Sequence, residues 1–415
     1  MRKLIFSAIM VASSGALFAQ KLDDVQEKIS KGKFAEAQEK IDKIIEDPKG
    51  QKNAEAWYYR GIVYYNLGQD STRTDKDYRQ EAFSSLQKYY ELDPKNLRGT
   101  LEQNVRVFQL YDAYYNSGIK AFNNKNFEAS FKNFSQALNV ENYIIGKGFS
   151  YPGINMSALD TNLILNTAAA ASKANLRDSA MAYYRRLADA KLKGENYIEI
   201  YQILIDYYAK QNDAGNRAKY LAIAKELYPN NDYWFDVELA PLKDDKSKAL
   251  AKYEELIAGN PNSYYLTYNY AVELFNYLYA GDKPPADAAS FEPKVQAAIA
   301  NSIKVNNTPE GNLLMTRYLT ERIYKTEDSA RAVRGTTPAD VKKKQAITAR
   351  QNALWDQMAP YAQAAFTAYA SKPELKVADK GNIKYISNIL IDYYNMKKQF
   401  DKSKEVETKV KSLGL

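Results

Sequence analysis

The stretch "AEAWYYRGIVYYNLG", residues 54–68, sets large and small residues at helical spacing. Trp57 stands three positions before Arg60-Gly61, and Tyr64 stands three after the glycine. At 3.6 residues per turn these positions share one helix face. A second helix follows, with Ala82, Leu86 and Tyr89 spaced for packing and Pro94 ending it. Gly61 and Ala82 lack bulk, so the two helices can touch while the aromatics fill the space beside them.

The plan recurs. Tyr114, Gly118, Ala121, Phe127, Ser130, Phe134 and Ala137 form the next unit, with its two small residues, Gly118 and Ser130, twelve positions apart. Gly61 and Ala82 are 21 apart, so nine residues are inserted there, within "QDSTRTDKDY" (69–78), which reads as an exposed loop. Upstream, "KGKFAEAQEKIDKIIEDP" (31–48) supplies Gly32, Phe34, Ala37, Ile41, Ile44 and Pro48. Downstream units are marked by Ala168, Ala180 and Tyr184, and by Tyr201, Ile205, Tyr208, Leu221, Ala224 and Pro229. Tyr253, Leu256 and Pro261 close a unit whose first helix is short and ends near Pro241. "YYLTYNYAVELFNYLY" (264–279) opens another, which closes at Pro309. Residues 312–373 fit the pattern poorly; Thr337-Pro338 reads there as an N-cap and first helical residue of a long helix toward Ser371, kinked at Pro360. The last pair begins near Asn382, and its closing helix, "FDKSKEVETKVKSL" (400–413), is polar, as the outer face of a terminal cap must be.

This series resembles the tetratricopeptide repeat, in which an aromatic, a large–small pair and a second aromatic precede Ala, an aromatic and Pro on a second helix. The resemblance covers nearly the whole chain after residue 19 and suggests an exported protein of Gram-negative bacteria. It implies an all-α fold, a right-handed α-solenoid of eight or nine stacked antiparallel helix pairs. The expected organisation is a signal peptide at 1–19, a repeat array at 20–310, and irregular repeats with a capping pair at 311–415.

"ILIDYY" occurs twice, at Ile203–Tyr208 and Ile389–Tyr394. Both copies fall on the first helix of a repeat, with Leu204, Ile205 and Tyr208, and Leu390, Ile391 and Tyr394, on the packing face. Asp206 and Asp392 project from another side. A carboxylate pair acting on one glycosidic bond must lie within roughly 10 Å, whereas about five repeats separate these two. They read as repeated structure.

The N-terminal "MRKLIFSAIMVASSGALFAQ" has the basic start, short apolar run and small-residue end of a secretory signal, with cleavage expected after Ala19. The chain of 415 residues has no Cys and no His. Disulfides, a lipid-bearing cysteine, the usual zinc, copper and haem ligands, Ser-His-Asp triads and Cys nucleophiles are thereby excluded. The formal charge is +8, or +6 once Arg2 and Lys3 leave with the signal; no nucleic-acid-binding pattern accompanies it. "GKGFSYPG" (146–153) lacks the setting of a phosphate loop and reads as a turn between repeats. No cofactor, metal site, catalytic set or transmembrane segment is expected.

If the pairs stack as the resemblance implies, the first helices line a concave groove. Tyr58, Ile62, Tyr65 and Asn66 would face it, then Tyr115, Ile119, Phe122 and Asn123, then Gln202 and Asp206, then Tyr268, Phe275 and Asn276. Asn66, Asn123 and Asn276 occupy equivalent sites; each amide could pair with an extended peptide backbone, or cap its own helix end. The expected function is a non-enzymatic, soluble periplasmic scaffold or adaptor holding an envelope protein, or an extended peptide segment of one, rather than a small molecule. The other reading is a glycan-binding protein that stacks sugar rings on the groove tyrosines.

Overall fold

The computed structural model describes residues 19–70, 72–73, 75–281 and 283–415; the expected signal peptide, apart from Ala19, lies outside the described residues. The chain divides into two compact units between Pro229 and Asn230. Among the described residues there is no strand, only an isolated bridge between Tyr151 of the "GKGFSYPG" turn and Ile154 just after it.

In the first unit α1 (described at residues 19–30) pairs with α2 (Phe34–Glu46), tied by Lys28–Glu36 and Lys40–Asp24 ion pairs. After the short α3 (Pro48–Gln51), α4 (Ala54–Leu67) pairs with α5 (Tyr78–Leu92). After the short α6 (Leu97–Leu101), α7 (Val105–Asn123) pairs with α8 (Phe127–Gly146). Then α9 (Thr161–Lys173) pairs with α10 (Arg177–Asp189), and α11 (Glu195–Lys210) with α12 (Ala214–Leu227).

In the second unit the short α13 (Tyr233–Leu239), extended by a 3-10 turn at Ala240–Leu242, precedes α14 (Lys246–Gly259). α15 (Tyr264–Tyr279) pairs with α16 (Ala288–Val305), α17 (Pro309–Ala332) with α18 (Pro338–Ala370), and α19 (Val377–Met396) with α20 (Phe400–Ser412). Nine pairs thus follow one another among the described residues, an all-α solenoid. The last pair starts earlier than its sequence suggests, at Val377 rather than near Asn382, because Asp379 accepts from the Lys376 backbone and adds a turn. Thr337 caps α18 in a reciprocal capping box with Asp340. On α20 only Ser403 and Val406 are buried, which leaves its outer side polar.

Local chemistry explains why the pairs turn where they do. Gly32, Lys125, Asn175, Asn212 and Lys398 each sit between the two helices of a pair with φ between 56° and 68°. The following N–H closes a six-residue ring onto the first helix, as in Asn126 to Ala121 (2.9 Å) and Asp213 to Tyr208 (3.0 Å). This left-handed cap satisfies carbonyls that a helix end leaves open. Asn126 and Asp213 then cap the second helix through their side chains.

The small residues mark where the helices touch. A Cβ on Gly61 would stand 2.7 Å from Leu86 Cδ2, and one on Gly118 would stand 2.5 Å from Phe134 Cδ1. Ala82 is fully buried. Leu204, Ile205 and Tyr208 are buried in the first ILIDYY; in the second Leu390 and Tyr394 are, while Ile391 is only half-buried. The neighbouring tyrosine does the same work in both copies. Tyr207 donates to Asp178 (3.0 Å) and Tyr393 to Asp356 (3.1 Å), each on the second helix of the preceding pair. Asp206 and Asp392 are exposed.

Candidate functional site

Tyr58 and Ile62 do not line a groove. Tyr58 is 1% exposed and Ile62 8%. For Tyr58 the reason lies in residues 93–104, which interrupt the plain repeat. There α6 folds over α4 and lays Arg98 across the rings of Tyr58 (5.3 Å) and Tyr59 (4.9 Å). Tyr58 packs edge-on against Tyr89 at 5.0 Å, and Arg106 of α7 reaches its hydroxyl at 3.5 Å. Asn66 donates to the Ile62 carbonyl at 2.8 Å, closing the helix end. Asn123 and Asn276 are exposed near the ends of α7 and α15.

Tyr65 is half-buried beside the charges of Arg79, Asp112 and Arg106, and desolvation raises its hydroxyl above the ordinary tyrosine range. On α7, Tyr115 and Phe122 are half-buried and Ile119 is 37% exposed. Tyr111, which the repeat pattern does not single out, completes this row. Its ring lies 6.0 Å from that of Tyr115 at an angle of 14°. The i, i+4 spacing of 111 and 115 is the signal that finds it. The row is anchored from behind: Tyr115 contacts Phe134 at 6.0 Å and Phe122 meets Phe127 edge-on at 5.3 Å. Beside the row, burial raises the Asp112 carboxyl above its ordinary value.

Further along the same unit a cleft follows α11. One part, about 330 Å³, lies against α9 and includes Leu165, Ala169, Asn196, Glu199 and Ile203. The other, about 420 Å³, shares Ile203 and includes Ser172, Arg177, Asp206 and Lys210. Gln202, half-buried, neighbours the shared residue. The Arg177 guanidinium lies 5.1 Å from the centre of the Tyr207 ring. The lining combines apolar side chains, among them Leu165, Ala169 and Ile203, with both signs of charge, Glu199 and Asp206 against Arg177 and Lys210.

In the second unit Tyr268 and Phe275 are half-buried on α15. Tyr268 stacks on Tyr264 at 5.4 Å, and Phe275 contacts Tyr279 at 5.1 Å. They form a second aromatic row at helical spacing. Among the described residues no group of three or more carboxylates could hold a metal ion, and no helix is long and apolar enough to cross a membrane.

No family model matches the chain, and no curated protein matches it. Among solved structures it is similar to the P58(IPK) TPR domain, at 11% identity over 90% of this chain and 98% of that one, with a TM-score of 0.22. It is also similar to a human IFIT1 dimer with PPP-AAAA, at 13% identity over 94% of this chain and 89% of that one, with a TM-score of 0.24.

Proposed function

We propose that the protein is a non-enzymatic scaffold of the bacterial envelope, exported to the periplasm, that holds an extended segment of another protein along its first helices. The observation that carries this reading is the row Tyr111, Tyr115, Ile119 and Phe122 on α7. Its rings are fixed from behind yet partly accessible, and the first unit also holds the mixed-charge cleft along α11. Rigid aromatics offer contact area at low entropy cost, and the cleft offers donors and acceptors for a peptide backbone. A chain without His or Cys has few groups with which to do covalent chemistry at neutral pH.

Affinity capture from an envelope extract tests this, comparing wild type with a Tyr111→Ala/Tyr115→Ala variant. The expected result is one protein retained by wild type and lost from a variant whose helical circular dichroism and melting are unchanged. Retention unaffected by the substitutions would move the surface off α7. Failure to retain any protein, with retention of envelope glycan instead, would turn the rows into sugar-stacking surfaces.

A further inference from the structure

A second candidate site lies in the first unit, and it too borders α7. A cavity of about 930 Å³ opens between the loop inserted after α4 and the turn joining α7 to α8. Five cations line it (Arg73, Lys76, Arg79, Lys120 and Lys132) against two carboxylates, Asp70 and Asp77. Both carboxylates are already engaged. Asp77 binds Lys132 at 2.9 Å and caps α5 through the Gln80 N–H, while Asp70 lies 3.8 Å from Arg73 and accepts from Thr72. Among the described residues Lys76, Arg79 and Lys120 have no ion-pair partner, and they come from three different elements.

Arg79 is held in place. Its Nη1 donates to Ser117 Oγ at 2.7 Å and reaches the Ala113 carbonyl at 3.4 Å, while its Nε is buried with no acceptor. The Tyr114 ring lies 6.0 Å from the guanidinium, and Tyr114, 3% exposed, also has a buried hydroxyl with no partner. The Lys76 ammonium is 5.7 Å from the rings of both Tyr64 and Tyr78. Lys76 and Arg79 thus carry positive charge against aromatic rings.

Three unmatched cations around so wide a space call for an anion bearing more than one negative charge. A phosphate group suits Lys and Arg together, since lysine acts as a point charge and arginine as a fork. The volume far exceeds one phosphate, and Asn124 and Asn133 bring side-chain amides able to bond hydroxyl groups. We propose that this cavity binds a phosphorylated polyol, either free in solution or as the headgroup of a lipid. The nine-residue insertion in the repeat then has a purpose, since Asp70, Arg73 and Lys76 all lie on that stretch. Its lining shares α7 with the aromatic row but includes none of Tyr111, Tyr115, Ile119 and Phe122, so either proposal can fail alone.

Titration calorimetry of the purified protein with fructose 1,6-bisphosphate tests it, beside fructose and inorganic pyrophosphate. Vesicles of phosphatidylcholine with and without phosphatidylinositol 4-phosphate form the second arm. The expected result is binding of the bisphosphate, or of the phosphoinositide vesicles, at least tenfold tighter than either control. It should weaken at high salt and by tenfold or more in Lys120→Glu and in Lys76→Glu. Both lysines are exposed, so these variants should fold, and an unchanged melting temperature checks it. Binding to vesicles alone identifies a headgroup, and binding of the bisphosphate alone a free ligand. Pyrophosphate binding as tightly as the bisphosphate would overturn the polyol. No binding in either arm, or binding indifferent to both substitutions, would overturn the site.

Discussion

Ser130 Oγ donates to the carbonyl oxygen of Gly118 at 2.9 Å, joining the two small residues at which α7 and α8 touch. The bond is buried, so each polar group is satisfied inside the contact it makes possible.

Enlarging this contact should be costly. Gly118→Ala places a methyl 2.5 Å from the Phe134 ring, and destabilisation of about 1–3 kcal/mol is expected from urea unfolding. Gly146→Ala, where nothing lies within 4 Å, should be neutral or slightly stabilising. Equal effects at the two positions would refute close approach as the reason for the glycine.

The turns offer the opposite sign. Lys125 holds φ of 60°, a conformation that costs an L-residue and not glycine. Lys125→Gly should therefore stabilise the protein by about 0.5–1 kcal/mol. A lower melting midpoint would argue against the left-handed cap.

How far the sequence goes is clear from α4 to α7. Gly61, Ala82, Gly118 and Ser130 announce the helix contacts because small residues set among aromatics at helical spacing have few other uses. Tyr58 misleads because its burial depends on α6, a five-residue helix within a segment held by three left-handed residues, Asn96, Gln103 and Asn104. Those conformations, and the 2.8 Å bond from Asn96 to Asn104, leave no periodic trace. The cavity by the inserted loop was equally hidden, since its five cations line one space but come from four elements.

Arg60 ties three helices together. It donates to Asp42 on α2 (3.1 Å) and to Ser85 (2.7 Å) and Glu81 (2.9 Å) on α5, with its guanidinium 4.1 Å from the centre of the Tyr64 ring. Lysine cannot fork in this way, so Arg60→Lys should lose about 1–2 kcal/mol and Arg60→Ala somewhat more. Full stability of the lysine variant in thermal melts would show the network to be incidental.

Glu141 should make stability fall as pH rises. Glu141 is 2% exposed, and burial first, then the nearby Asp160 carboxylate, pushes its carboxyl up from 4.5 to about 7, against the Ser157 N–H and the Arg186 charge. The folded state then holds the proton more tightly than the unfolded chain, so its contribution is full below pH about 4.5 and is lost as pH passes about 7. Glu141→Gln should match wild type at pH 5 and exceed it at pH 8 by about 1–3 kcal/mol. A constant difference between the two pH values would contradict this.

The most direct test of the scaffold reading is site-specific photo-crosslinking in cells, with a benzophenone amino acid placed at Tyr115, at Gln202 or at Arg186. The first two positions lie on first helices and Arg186 is exposed on the second helix α10. A shared protein adduct from positions 115 and 202, absent from 186, is the predicted result. An adduct from 186 with none from 115 or 202 would contradict it.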